Sequence, residues 1–124
     1  MPLAKETLQL LESDGRIVHG ETYDQYWPYV AQLSDAELAL MYETMAITRA
    51  LDLEAGNLQR QGQMALWVPA VGQEGCQVGA AMASRPQDTI FPAYREHSVA
   101  RLRGVSMLEI IRMLRGLTHG GWDP

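Results

Sequence analysis

Residues 88–104 read DTIFPAYREHSVARLRG, and what this stretch becomes decides the fold. Thr89-Ile90-Phe91 follows the break at Pro86 and Asp88 and has the length and composition of a short buried strand near 89–91. From about Arg95 to Arg103 the pattern is helical and stops at Gly104. A strand that feeds directly into a helix is the unit of an α/β fold. Such folds present ligand-binding groups at the carboxyl edge of the sheet, where the free amides of a helix start also attract phosphate. Tyr94 and Arg95 stand at that junction. Arg95 offers a planar, permanently charged donor fork and Tyr94 a hydroxyl on a rigid ring; the competing readings are a surface ion pair with Glu96 or a capping role. His97, two residues on, is close enough to reach the same ligand and titrates near neutral pH, which suits a general acid or base. A structural histidine is the plain alternative.

On the C-terminal side, Ser106-Met107-Leu108-Glu109 is a capping box that opens a helix over about 107–116. THGGWDP, 118–124, carries no domain-ending signal and reads as a loop on its way elsewhere. Two helices around Gly104 also outline a helix-turn-helix, but Met107, Leu108, Ile110, Ile111, Met113 and Leu114 leave the second helix without a polar face for base edges. With a net charge of -5, the chain is not expected to bind nucleic acid. Five arginines (Arg95, Arg101, Arg103, Arg112, Arg115) against Glu96 and Glu109 nevertheless make this end locally basic, which suits a small anion better than a polyanion.

On the N-terminal side, Gly72–Ala83 is a helix of small residues, whose backbone can approach another element closely. MALWVPAV, 64–71, contains Pro69 and reads as a loop or short extended piece. Ser34-Asp35-Ala36-Glu37 is a second capping box, and positions 38, 41, 45, 48, 51, 55 and 58 keep helical period until Gln61-Gly62. The resulting helix of about 35–61 is roughly 40 Å long at 1.5 Å per residue, a rod suited to packing along a larger body. Residues 1–33 form an N-terminal extension: a helical attempt at Lys5–Glu12, a turn at Ser13-Asp14-Gly15, extended residues 16–19, then the aromatic DQYWPYV.

The length of 124 residues, 47% apolar and 20% charged, is that of one folded domain. No apolar run reaches the roughly 18–20 residues of a membrane span, and the start lacks signal-peptide order, so a cytoplasmic protein without membrane contact is expected. Cys76 has no cysteine or histidine at zinc-ligand spacing and is expected as a small buried side chain on a helix. His19 and His119 have no carboxylate or cysteine context in sequence. There is no phosphate loop, no Gly-x-Ser-x-Gly elbow and no His-Glu-x-x-His. The residues alone reach part of a small-anion site on an α/β scaffold.

Taken in order, YETMAITRALDLEAGNLQRQG (42–62), GQEGCQVGAAMA (72–83) and DTIFPAYREHSVARLRG resemble the alpha subunit of thiamine-diphosphate-dependent 2-oxo-acid dehydrogenases, the decarboxylating component of the pyruvate and branched-chain complexes. The resemblance runs from about Leu33 to Leu117. LLESDGRIVHGETYD and RGLTHGGWDP look like the actinobacterial pyruvate dehydrogenase type. The resemblance implies that residues 34–124 are the N-terminal part of a thiamine-diphosphate-binding domain, here a mostly helical fragment of an α/β fold. Residue by residue, the family's diphosphate-contacting Tyr-Arg pair matches Tyr94 and Arg95, and the active-site histidine of pyruvate-type members matches His97. Trp67-Val68 lies where relatives place groups near the substrate, but the residues differ and no role is carried over.

The resemblance further implies magnesium as a second cofactor, a beta subunit in an alpha2-beta2 enzyme, a lipoyl-bearing acyltransferase that receives the acyl group, and a 2-oxo acid substrate, pyruvate or a branched-chain one. The family's Gly-Asp-Gly and Asn metal motif would follow Pro124, so no metal ligand is expected in this chain. The chain is expected to be an N-terminal portion of the subunit that self-associates through uncovered apolar faces. A different class, a non-catalytic helical module that docks a partner through the long rod and DQYWPYV, remains open at this level.

Overall fold

The computed structural model describes residues 8–117. The chain folds as two units, Met1–Leu38 and Ala39–Pro124. Six helices follow one another among the described residues: α1 (Glu21–Asp24), α2 (Trp27–Val30), α3 (Asp35–Arg60), α4 (Glu74–Ala83), α5 (His97–Leu102) and α6 (Met107–Leu114). Among the described residues there is no strand, only an isolated antiparallel bridge between Leu11 and Ile17.

In the first unit that bridge closes over the expected Ser13-Asp14-Gly15 turn. Gly15, at φ 84°, donates to Glu12 O at 2.9 Å, and Asp14 Oδ1 accepts from Arg16 N at 3.1 Å. Leu8–Glu12 is therefore not helical, because Leu11 is committed to Ile17; Lys5 lies outside the described residues. The aromatic segment forms the one-turn helices α1 and α2, with Pro28 in the first turn of α2, where its missing N–H costs nothing. Trp27 Nε1 donates to Val18 O at 3.4 Å.

Both capping boxes form. Ser34 N donates to Glu37 Oε2 at 2.8 Å and Glu37 N to Ser34 Oγ at 3.3 Å. The pair at Ser106 and Glu109 repeats this at 2.8 and 3.2 Å. Helix α3 ends at Arg60, where Gly62 takes φ 71° and Gln63 N reaches back to Leu58 O at 2.8 Å. Its fully buried residues are Thr44, Thr48, Asp52 and Ala55. The periodic stripe expected from sequence is covered at 41, 45, 48, 51, 55 and 58 and departs only at Leu38, which is 42% exposed, while Thr44 and Asp52 add a polar edge to it.

The second unit is built around Ala55, Met64, Trp67 and Ile110, with Leu51, Leu58, Ala100, Met107, Ile111 and Leu114 packed against them. Helix α6 contributes one side to this cluster and leaves Leu108 and Met113 exposed. Helices α4 and α5 form the closest helix pair. Arg49 of α3 ties to Glu74, the first residue of α4, whose other oxygen accepts from Gly72 N at 2.8 Å. No described helix is long and apolar enough to cross a membrane.

Four expected elements are corrected. Thr89–Phe91 is not a strand: no neighbouring strand satisfies its backbone, and Phe91 is 91% exposed, whereas a strand exists only through its partners. The helix of 95–103 is shorter, His97–Leu102, so Arg95 precedes it. The helices of 72–83 and 107–116 begin at Glu74 and end at Leu114, respectively, because Gly72 (φ 87°) and Gly116 (φ 68°) leave helical geometry.

Candidate functional site

Tyr94 and Arg95 lie in the turn that delivers the chain into α5. Glu96 N closes that turn on Ala93 O at 3.3 Å, and the Glu96 carboxylate accepts from Ala93 N. Glu96 is thereby spent on the backbone, and the alternative Arg95–Glu96 ion pair does not form. Arg95 enters none of the ion pairs found among the described residues. Its guanidinium instead lies 5.3 Å from the centroid of the Tyr94 ring, within cation–π reach. Tyr94 is exposed and Arg95 half-buried. The two groups are together, and the Arg95 charge has no carboxylate partner among the described residues, the state in which an arginine can accept an external anion.

The backbone behind them is fixed by Gln77 of α4, which is buried. Its Nε2 donates to Arg95 O at 3.1 Å and its Oε1 accepts from Ser98 N at 3.2 Å. Ser98 Oγ lies 2.9 Å from Thr48 Oγ1 of α3. This changes the basis of the anion argument. Helix α5 has six residues and one of its first amides is taken by Gln77, so the side chains of Arg95 and Tyr94, not the helix start, carry the case for phosphate. Sequence reasoning overlooked Gln77 because a glutamine in a small-residue helix gives no signal until the partner backbone is in place.

His97 does not share the exposed surface of Tyr94. It is 5% exposed, its ring is stacked on Trp67 at 4.5 Å and 20°, and its Nε2 is buried without a hydrogen-bond partner. Burial holds the imidazole below its ordinary 6.5, opposed by the charge of Asp52 and a hydrogen bond with the Val68 backbone. His97 is therefore a neutral, desolvated imidazole near pH 7 with one nitrogen uncommitted. Asp52, buried in α3, accepts from Trp67 Nε1 at 2.9 Å and from Ala70 N at 2.8 Å. Neither Asp52 nor the part played by Trp67 is evident from sequence; an acid at i+4 from Thr48 within a polar stripe is the available cue.

A cleft of about 360 Å³ opens beside Tyr94, lined by Leu66, Val68, Tyr94 and Leu114. Among the described residues no three His, Cys, Asp or Glu side chains gather as metal ligands. Cys76 is on a helix as expected but is exposed rather than buried, its Sγ 3.1 Å from Gln73 O. His19 does have a carboxylate neighbour, Asp24, at 3.3 Å. His119 lies outside the described residues.

A family model described as the dehydrogenase E1 component matches residues 42–122. The chain belongs to this family. It is 40% identical over 121 residues to the 3-methyl-2-oxobutanoate dehydrogenase subunit alpha of Mycobacterium tuberculosis, an alignment covering 98% of this chain and 31% of that protein. It is 30% identical over 119 residues to the pyruvate dehydrogenase E1 component subunit alpha of Staphylococcus epidermidis, covering 96% of this chain and 30% of the relative. The corresponding Staphylococcus aureus protein matches equally. The chain thus spans about a third of the length of the curated relatives it matches. The turn, Gln77, Trp67 and His97 all fall inside the region that defines this E1 family member.

Proposed function

We propose that this chain contributes to the cofactor site of a thiamine-diphosphate-dependent 2-oxo-acid dehydrogenase, as part of its alpha subunit. Tyr94 and Arg95 hold the diphosphate, and His97 handles a proton at the reacting end. The observation that carries the reading is Arg95: a guanidinium on a rigid aromatic ring, its backbone carbonyl held by a buried glutamine and its side chain in no ion pair among the described residues, inside the region matched by the E1 family. Its fork donates to two phosphate oxygens at once, which a point charge cannot do with the same orientation. The uncommitted Nε2 of His97 fits a partner from outside the described residues, since buried polar atoms are as a rule paired.

When bound, thiamine diphosphate supplies the electron sink for loss of carbon dioxide from the 2-oxo acid. Around it the chain's own groups orient and exclude water. Trp67 seals one face of His97 and keeps the imidazole neutral, so that it can accept a proton at Nε2. Magnesium, a beta subunit and a lipoyl-bearing acyltransferase complete the proposed machinery, and the setting is cytoplasmic. The substrate is a 2-oxo acid. His97 favours pyruvate, while the higher identity to the mycobacterial protein, named for 3-methyl-2-oxobutanoate, favours a branched chain.

Carbon dioxide release by the assembled alpha–beta enzyme from each of these two acids tests the proposal. Release that requires added thiamine diphosphate, and drops about a hundredfold or more in His97→Ala, is expected. Cofactor-independent release, or no release from either acid by a folded, assembled enzyme, would overturn it.

A further inference from the structure

The Asp52 carboxylate is placed where no part of the proposed chemistry has yet used it. Two donors converge on it from the segment after α3: Trp67 Nε1 at 2.9 Å and Ala70 N at 2.8 Å. One oxygen serves each, so the carboxylate pins both ends of Trp67–Ala70. That segment touches His97 twice, through the stacked Trp67 ring and through the Val68 backbone between the two pinned points. Asp52 is 4% exposed, Trp67 4% and His97 5%, so water does not replace these contacts. A carboxylate buried this deeply costs free energy unless its hydrogen bonds are met; here they are met by groups that all shape the His97 environment.

We propose that Asp52 is a positioning residue for His97. Acting through Trp67–Ala70, it fixes the plane of the indole and the Val68 backbone, and these together hold the imidazole with Nε2 unpaired among the described residues. The indole cannot rotate about its own axis without giving up the Asp52 bond, and the imidazole cannot tilt without leaving the indole face. The inference rests on His97 being the proton-handling group, yet its geometry is testable without cofactor or partner. Asp52 is the charged group that acts on His97; Trp67 and the Val68 backbone beside it are neutral.

The test is nitrogen-15 and proton NMR of the imidazole and indole groups in the 124-residue chain and in three variants: Asp52→Asn, Trp67→Phe and the double variant. In Asp52→Asn the indole N–H signal should move upfield toward its free position, and the His97 titration midpoint should fall below that of the parent, because an attraction favouring the imidazolium is gone. Trp67→Phe, which keeps a ring but loses the donor, should disturb the imidazole shifts. The double variant should add less than the sum of the two. Unchanged imidazole shifts and midpoint in a folded Asp52→Asn chain, or strictly additive effects, would overturn the proposal. If Asp52→Asn does not fold, Trp67→Phe decides alone: unchanged His97 shifts there would overturn it equally. Failure of this coupling would leave cofactor-dependent release of carbon dioxide untouched, so the two readings fail separately.

Discussion

Glu74 shows most simply how single residues set the behaviour of this chain. Its carboxyl is held down from 4.5 to about 2, chiefly by the hydrogen bond from Arg49, with the Gly72 amide adding to it and burial opposing it. A folded value below the unfolded one contributes stability that is present above about 4.5 and is lost as pH falls towards about 2. His97 adds an earlier window: its folded value lies below 6.5, so the unfolded chain binds the extra proton and stability starts to fall as pH drops through 6.5. Urea unfolding followed from about pH 7.5 to about pH 3 should show both losses. Glu74→Gln should flatten the lower one and His97→Phe the upper. Trp67→Ala should cost about 3–5 kcal/mol, since it empties part of the core and leaves one Asp52 oxygen without its donor.

At the scale of elements, local signals written within four residues were legible in the sequence. The capping boxes at Ser34 and Ser106 form as read, and Ser106→Ala should cost about 1 kcal/mol in urea unfolding, a change near zero arguing against the box. Gly104 ends α5 at φ 92° and lets Val105 N return to Ala100 O at 3.0 Å; Gly104→Ala should cost about 1 kcal/mol by placing a Cβ in left-handed backbone. Long-range features were not legible. Thr89–Phe91 has strand composition but no strand beside it. On α3, Thr48 and Asp52 are buried because they meet polar groups brought from residues 98, 67 and 70, which no hydrophobic pattern records; Thr44 is buried beside them with its Oγ1 unpaired among the described residues. In the same way Tyr94, Arg95 and His97 could be picked out by spacing and resemblance. The bond from Gln77 to the Arg95 backbone, and those that tie Asp52 to Trp67 and Ala70, came from the fold.

For the molecule as a whole, family membership followed from the order of motifs, whereas completeness of the site did not. Leu66, Phe91, Leu108 and Leu117 are each more than half exposed, as are Tyr42 and Leu53 on α3. A chain that spans about a third of its relatives' length and shows this much apolar surface should associate with itself. Sedimentation velocity should show species larger than monomer that grow with concentration, and a beta subunit should suppress them. A monomer at all concentrations would argue that these faces need no cover.

The central claim is that Arg95 reads a diphosphate. In the assembled alpha–beta enzyme, calorimetry should measure the affinity for thiamine diphosphate relative to unphosphorylated thiamine, with magnesium present, for the parent and for Arg95→Ala. The account predicts a preference for the diphosphate that falls by roughly tenfold or more in the variant, the loss of a charge-assisted fork, with thiamine itself bound as before. A preference unchanged by Arg95→Ala would contradict it.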